Sequence, residues 1–200
     1  RHALAAELPL KTVLREHRGA IVLSMLLTWV LSAAIVVVIL MTPTLLQTRY
    51  GFDAATALKA NSLAIVFLSL GCVAAGAIVD RVGAGRVLLL GGLLLGVTSW
   101  TFYSSLKLHP EWLFPLYALT GLFVGTIGAV PFVMVNAFPP VVRFSGLSFS
   151  YNVAYAIFGG LTPLVVSLLI KADPLGPAYY VAALCGLAVI IGLYLRGKGR

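Results

Sequence analysis

The sequence predicts an all-α integral membrane protein with six transmembrane helices. Of its 200 residues, 60% are hydrophobic and only 10% are charged, whereas a soluble domain carries about 25% charged residues. Six apolar runs are long enough to cross a hydrocarbon core of about 30 Å, which takes about 20 helical residues. Helices are expected because an open sheet edge leaves backbone groups unsatisfied in lipid, and the sequence lacks the alternating pattern of barrel strands.

A basic segment, residues 1–18, precedes the apolar runs, and residues 197–200 form a short tail. All 14 basic and 6 acidic residues fall in the breaks, at the ends of runs or in the tails. This distribution is expected, because a charge at the centre of a membrane helix costs about 2.5–3.5 kcal/mol on insertion scales. The predicted spans are 19–46, 58–79, 87–106, 112–137, 145–171 and 176–196.

The basic residues divide unequally between the two sides of the predicted membrane. The side with more Lys and Arg is expected to be cytoplasmic, so both termini are predicted to be cytoplasmic. The net charge of +8 reflects this bias rather than a nucleic-acid partner, because the sequence has no dense basic run. Ten basic residues lie on the inner side: Arg1, Lys11, Arg15, Arg18, Arg81, Arg86, Arg143, Arg196, Lys198 and Arg200. Four lie on the outer side: Arg49, Lys59, Lys107 and Lys171. An interfacial aromatic belt is expected there, at Tyr103, Trp112, Tyr179 and Tyr180.

The residue inventory does not favour an enzyme. The three histidines, His2, His17 and His109, lie in loops or tails, and no predicted span has an interior His, Asp or Glu. A nucleophile with a base in reach is therefore not expected within the membrane. Cys72 and Cys185 lie in apolar runs without a C-x-x-C pattern, so they are interpreted as small buried side chains. No metal or cofactor is predicted.

The fifth span carries the longest polar stripe of the chain. At 100° per residue its members lie within about 40° of one direction. Such a stripe must face protein or water. Two interpretations are open: hydrogen bonds between helices, or the wall of an aqueous translocation cavity. The stripe consists of Ser148, Asn152, Tyr155, Gly159 and Thr162.

The first span carries a shorter stripe of Ser24, Thr28 and Ser32. Trp29 lies about ten residues into the span, too deep for an interfacial belt. It is expected either to pack against lipid or to line the cavity. Glycines spaced by three and four in the third and fourth spans predict close helix packing, with cavity lining as the alternative. Pro43, Pro131 and Pro163 predict kinks.

The loop after the second span, GAIVDRVGAGR (76–86), places a carboxylate at a helix end beside arginines and flexible glycines. On spacing alone it is either a latch between helices or a polar connector. It resembles the G-x-x-x-D-R-x-G-R-R loop motif of the major facilitator superfamily at Gly76, Asp80, Arg81 and Gly83. Ala84 and Gly85 replace the usual basic residues and Arg86 comes late, so the resemblance implies a conformational latch with a weakened basic arm.

A longer stretch, FPPVVRFSGLSFSYNVAYAIFGGLTPLV (138–165), resembles the metabolite:H+ symporter branch of that superfamily. This branch includes proline/betaine, α-ketoglutarate and shikimate transporters. The resemblance implies a twelve-helix transporter in a bacterial-type inner membrane, of which this chain is the C-terminal six-helix half, built from two inverted three-helix repeats. The matching residues are Phe138, Pro139, Val142, Arg143, Gly146, Tyr151, Asn152, Phe158, Gly159, Gly160 and Pro163.

The leading functional hypothesis is one half of a secondary active transporter for a small organic solute, a carboxylate or zwitterion. H+ is the expected coupling ion, and alternating access is the expected mechanism. Its expected partners are the lipid bilayer, the solute, H+ and either the N-terminal half or a second copy, and not nucleic acid. The alternatives are a non-transporting six-helix scaffold and a half-length transporter acting as a homodimer. The predicted pathway residues are Thr28, Trp29, Ser32, Ser148, Tyr151, Asn152 and Tyr155. The predicted latch residues are Gly76, Asp80, Arg81, Gly83, Arg86 and Arg143.

Overall fold

The computed structural model describes residues 9–198, with side chains from residue 13 onward. Within that range the chain is helical and has no strand. Six helices are long and apolar enough to cross a membrane, which confirms the predicted fold class. The helices are α1 (Pro9–Glu16), α2 (Arg18–Thr48), α3 (Ala54–Val82), α4 (Ala84–Ser105), α5 (Pro110–Ala137), α6 (Arg143–Ala172) and α7 (Gly176–Gly197).

Helix α3 is longer at both ends than the predicted span 58–79. It begins at Ala54 because the Asp53 carboxylate accepts a hydrogen bond of 3.0 Å from the amide of Thr56, which satisfies an orphan donor of the first turn. Hydrogen bonds from the side chain and amide of Thr56 also hold the pKa of Asp53 below its usual value. The helix ends at Gly83, whose φ of +84° suits a glycine. Only that residue separates α3 from α4.

Three irregular turns each precede a proline of the bundle (α2–α7). Proline has no N–H to donate, and its ring clashes with the carbonyl four residues earlier. Local π or 3₁₀ geometry accommodates both effects. The turns are the π segment Val36–Met41 before Pro43, the 3₁₀ segment Gly125–Gly128 before Pro131 and the π segment Tyr155–Gly159 before Pro163.

Hydroxyl groups donate to two buried carbonyls of the π turn of α2. Thr42 Oγ1 donates to Val37 O at 2.8 Å, and the Tyr117 hydroxyl of α5 donates to Val38 O at 2.6 Å. The Tyr103 hydroxyl of α4 lies 2.7 Å from Thr42 Oγ1. Tyr103 is therefore 2% exposed rather than part of the predicted interfacial belt. Helices α2, α4 and α5 meet at this turn.

Helix pairing follows an internal symmetry. Helix α4 packs along α7, α3 packs along α5, and α6 packs along α2. Exchanging α2–α4 for α5–α7 leaves this pairing unchanged. An odd number of crossings in each triplet turns the second triplet over relative to the first, as in an inverted repeat.

Glycines allow the backbones of the paired helices to approach closely. A Cβ atom on Gly85 would lie 2.8 Å from Gly192 O, and one on Gly192 would lie 2.7 Å from Gly85 O. Gly121 and Gly125 of α5 lie directly against backbone carbonyls of α3. The glycine spacing of the fourth span is thus a packing seam.

We expect Gly192→Ala to destabilise the bundle, because the added methyl must push α4 and α7 apart. Overpacking of this kind typically costs about 1–3 kcal/mol. The free energy of unfolding in detergent micelles measures the effect. Gly186→Ala on the same helix is the matched control, because a Cβ there meets no atom within 4 Å. Equal stability of the two variants would contradict the close contact.

Candidate solute-facing surface and loop latch

The α6 polar face, defined here as Ser148, Tyr151, Asn152 and Tyr155, lies on the surface of the bundle. Tyr151 is 38% exposed and Tyr155 is 37% exposed; Asn152 is exposed and Ser148 is half-buried. The two tyrosine rings lie 5.5 Å apart between centroids. The Asn152 amide nitrogen donates to Ser148 O at 2.7 Å. These neutral groups can therefore form hydrogen bonds with a solute, water or protein that packs on this face of α6.

The predicted stripe changes direction after Tyr155. Thr162 is fully buried; its hydroxyl donates to Phe158 O at 2.6 Å and lies 3.0 Å from the Tyr180 hydroxyl of α7. A π turn inserts an extra residue, so residues after it are rotated relative to those before it. A constant 100° per residue predicts one continuous face, and this prediction is wrong beyond the π turn. Thr162 bonds between helices, whereas the α6 polar face is exposed.

The α2 stripe lies inside the bundle. Thr28 and Ser32 are both 0% exposed. Thr28 Oγ1 donates to Ser24 O at 2.8 Å, and Ser32 Oγ donates to Trp29 O at 3.3 Å. The hydroxyl of Ser24 is also buried and has no hydrogen-bond partner within the described part of the chain. In this conformation neither predicted pathway residue reaches the surface.

Trp29 joins three helices. Its ring stacks on Phe158 of α6 with centroids 4.5 Å apart and planes 11° apart. Its indole N–H donates to the Tyr180 hydroxyl of α7 at 3.2 Å. The side chain is half-buried. Trp29 therefore fixes the π turn of α6 against α2 and α7.

Five of the six predicted latch residues lie where α3 meets α4, and the sixth, Arg143, begins α6. Gly76, Asp80 and Arg81 are exposed on the last turns of α3. Asp80 lines a cavity of about 500 Å³, whose other lining includes Asn136 of α5. Between described side chains the structure has a single ion pair, which joins His109, just before α5, to Glu111 in the first turn of α5. The predicted latch arginines thus do not pair with Asp80 among these residues.

Two latch arginines bond backbone carbonyls at helix ends instead. Arg86 donates to Val82 O at 3.5 Å, and Arg143 Nε donates to Phe138 O at 3.3 Å. A cation beside the last carbonyls of a helix complements its dipole. Phe138 is 2% exposed, and a Cβ on Gly146 would lie 2.6 Å from its ring. Arg143 and Gly146 therefore hold the turn between α5 and α6.

Sequence reasoning missed helix α1. The sequence predicts a basic segment over residues 1–18 and no helix there, whereas Pro9–Glu16 is helical. Val13 is fully buried in a small cluster with Ile21, Phe138 and Val142, so α1 packs on the turn between α5 and α6. The available signal was the spacing of Leu10 and Val13, which share one face of a helix.

Helices α3 and α6 are the least covered helices of the bundle. Only 22% of the residues in the apolar centre of each are buried, against 44–61% in the other four membrane helices. The two helices occupy equivalent positions in the two triplets. The bundle therefore has two equivalent open flanks, and the α6 polar face lies on one of them.

The chain is similar to bacterial symporters. It is 29% identical to a citrate-proton symporter of Klebsiella pneumoniae over 203 residues, 98% of this chain and 46% of the relative. It is 33% identical to a citrate-proton symporter of Salmonella typhi over 162 residues, 78% of this chain and 37% of the relative. It is 30% identical to a putative proline/betaine transporter of Staphylococcus aureus (strain COL) over 166 residues, 79% of this chain and 35% of the relative.

The chain belongs to the major facilitator superfamily. It spans about 35–46% of the length of these relatives. They are named as transporters and not as enzymes. No family model and no solved structure matches the chain. With its six apolar helices, this superfamily chain is an integral membrane protein.

The superfamily loop motif contains two glycines of different kinds. Gly83 has φ +84° and ψ 148°, a region that is nearly restricted to glycine. A Cβ on Gly76 would meet nothing within 4 Å. Within the described residues, backbone conformation requires glycine at position 83, whereas no contact requires it at position 76.

We expect Gly83→Ala to lower the free energy of unfolding by about 1–3 kcal/mol, because alanine is strained in this conformation. Gly76→Ala is the control and should not lower it, because the position is open and alanine favours helix. Denaturant titration of both variants in micelles provides the comparison. A Gly83→Ala variant as stable as the control would show that the α3–α4 turn does not need a positive φ.

Proposed function

We propose that the chain forms the C-terminal six-helix half of a secondary active transporter, which carries a small organic solute with protons across a bacterial inner membrane. The relatives are named for proton-coupled citrate transport and for proline/betaine transport. The chain aligns with 35–46% of their length, as expected of one half of a two-part transporter. The solute would bind between the two halves.

The observation that carries this proposal is the pair of open flanks. Helices α3 and α6 are equally poorly buried, and the repeat relates their positions. A second six-helix half that packs against both would cover them symmetrically. Gly76 on α3 also leaves room for a close neighbour, since nothing in the described residues lies within 4 Å of its Cβ position.

In the proposed mechanism the two halves rock against each other and expose the solute to alternate sides. The α6 polar face would contact the solute or the water around it. The five carboxylates of the described residues lie at or near helix ends: Glu16, Asp53, Asp80, Glu111 and Asp173. The carboxylate that carries the coupled proton would therefore belong to the N-terminal half. Both termini would be cytoplasmic by the positive-inside rule.

The same flanks would also accept a second copy of the chain, which keeps the homodimer and the non-transporting scaffold as alternatives. Introduced cysteines on α3 and α6 of the full-length protein distinguish them. Cross-links within one polypeptide support the two-half transporter. Cross-links that double the apparent mass support the homodimer. The scaffold predicts that proteoliposomes take up no solute, whether they hold the full-length protein or a dimer of this chain.

We expect Asn152→Ala in the full-length protein to reduce kcat/KM for solute uptake about fivefold to tenfold, the effect of one lost hydrogen bond. Thr101→Ala is the matched control. Its hydroxyl donates to Val97 O at 2.8 Å, a similar bond within one helix, but it lies in the groove between α4 and α7. Equal uptake by Asn152→Ala and the control would remove Asn152 from the pathway.

We expect Asp80→Asn to shift the balance between inward-facing and outward-facing states about tenfold. Asp80 makes no ion pair with a described side chain in this conformation, and a charge-assisted bond that it formed only in the other state would favour that state by about 1.5–3 kcal/mol. Labelling of a single introduced cysteine in a background without Cys72 and Cys185 measures the shift. Asp173→Asn is the control, since that carboxylate accepts from Leu175 N at 2.7 Å beyond the end of α6. Unchanged labelling in Asp80→Asn would make the loop a connector.

A further inference from the structure

The α6 polar face presents two aromatic rings in an unusual position for a membrane helix. Tyr151 and Tyr155 lie one turn apart, with centroids 5.5 Å apart and planes tilted by 36°. Both are more than one-third exposed. They lie well inside α6, eight and twelve residues after its first residue, so they are not interfacial anchors.

The backbone holds the second ring in place. The π turn of α6 begins at Tyr155, and such turns occur frequently at functional sites. A Cβ on Gly159 would lie 3.3 Å from Cδ1 of Tyr155, so glycine leaves the ring the space that it occupies. The stacked pair of Trp29 and Phe158 packs the same turn against α2.

Charge limits what this face can recognise. The ionisable cations of α6 lie at its two ends, at Arg143 and Lys171. At 1.5 Å per residue, Arg143 is about 12 Å along the axis from Tyr151, and Lys171 is about 24 Å from Tyr155. A polyanion such as citrate would find no counter-charge on the α6 polar face. An ammonium group would find two ring faces, which attract cations through their quadrupoles.

We propose that the α6 polar face binds the ammonium end of a zwitterionic solute, with the rings of Tyr151 and Tyr155 as the cation site. The Asn152 amide oxygen accepts a hydrogen bond where the ammonium carries N–H groups. The solute carboxylate is bound by the other half of the transporter. This inference rests on the proposed transport function. The names of the relatives contain two types of solute, citrate and proline/betaine, and the inference selects the second type, the zwitterion.

The test uses the full-length protein in proteoliposomes with glycine betaine, proline and citrate as probes. We expect uptake of betaine or proline, with KM raised about tenfold in Tyr151→Leu and in Tyr155→Leu, since a desolvated cation–π contact is worth about one factor of ten or more. The corresponding phenylalanine variants keep the ring and should lose about twofold. Tyr194→Leu is the control, because Tyr194 is 50% exposed on α7.

A second measurement needs no variant and so does not depend on folding. Glycine betaine and 3,3-dimethylbutanoate have the same shape and differ in the positive nitrogen. We expect betaine to inhibit proline uptake at a concentration at least about tenfold lower than its carbon analogue requires. Equal competition by the two, or leucine variants with unchanged KM, overturns the inference.

The outcomes separate this inference from the proposed function. If citrate is taken up and neither betaine nor proline inhibits its uptake, the transport proposal stands and the proposed zwitterion site is wrong. If no probe is transported, betaine binding is measured by quenching of tryptophan fluorescence. Binding that the leucine variants lose supports the cation site while the transport proposal fails, and no binding overturns both.

Discussion

The bundle depends on one constraint: in lipid, every backbone donor and acceptor must find a partner inside the protein. Prolines within membrane helices break that rule locally, since they donate nothing. In the buried π turn of α2, Val37 O accepts from the Thr42 hydroxyl and Val38 O accepts from the Tyr117 hydroxyl. Satisfying the backbone at Pro43 therefore also connects α2 to α5.

The same constraint determines which face of α6 is polar. The π turn before Pro163 rotates the helix, so that Thr162 bonds Tyr180 inside the bundle while Tyr155 remains outside. Glycine contacts hold α3 against α5 and α4 against α7. These contacts fix the core and leave α3 and α6 as the two open flanks.

The six membrane helices could be predicted because the hydrocarbon core of the bilayer sets the length of an apolar segment that crosses it. The same core excludes charged side chains from the middle of that segment. The helix faces could be predicted less well. A proline indicates a kink but not whether a π or 3₁₀ turn accommodates it, and that choice decides where Thr162 points. The position of Tyr103 near a helix end predicts an interfacial side chain, whereas its hydroxyl is held inside the bundle by Thr42. No local sequence pattern encodes that contact.

The neutral character of the α6 polar face follows from its exposure. A face that is uncovered and covered again in each transport cycle must be desolvated repeatedly, and desolvation costs far more for a charge than for a hydroxyl or an amide. Tyrosine supplies an attractive field for a cation without carrying a charge itself. The Asn152 amide nitrogen donates to Ser148 O. When the face is buried without a solute, that nitrogen therefore still has a hydrogen-bond partner, and the cost of burial is lower. Such a face can bind a cationic group while remaining inexpensive to bury when that group is absent.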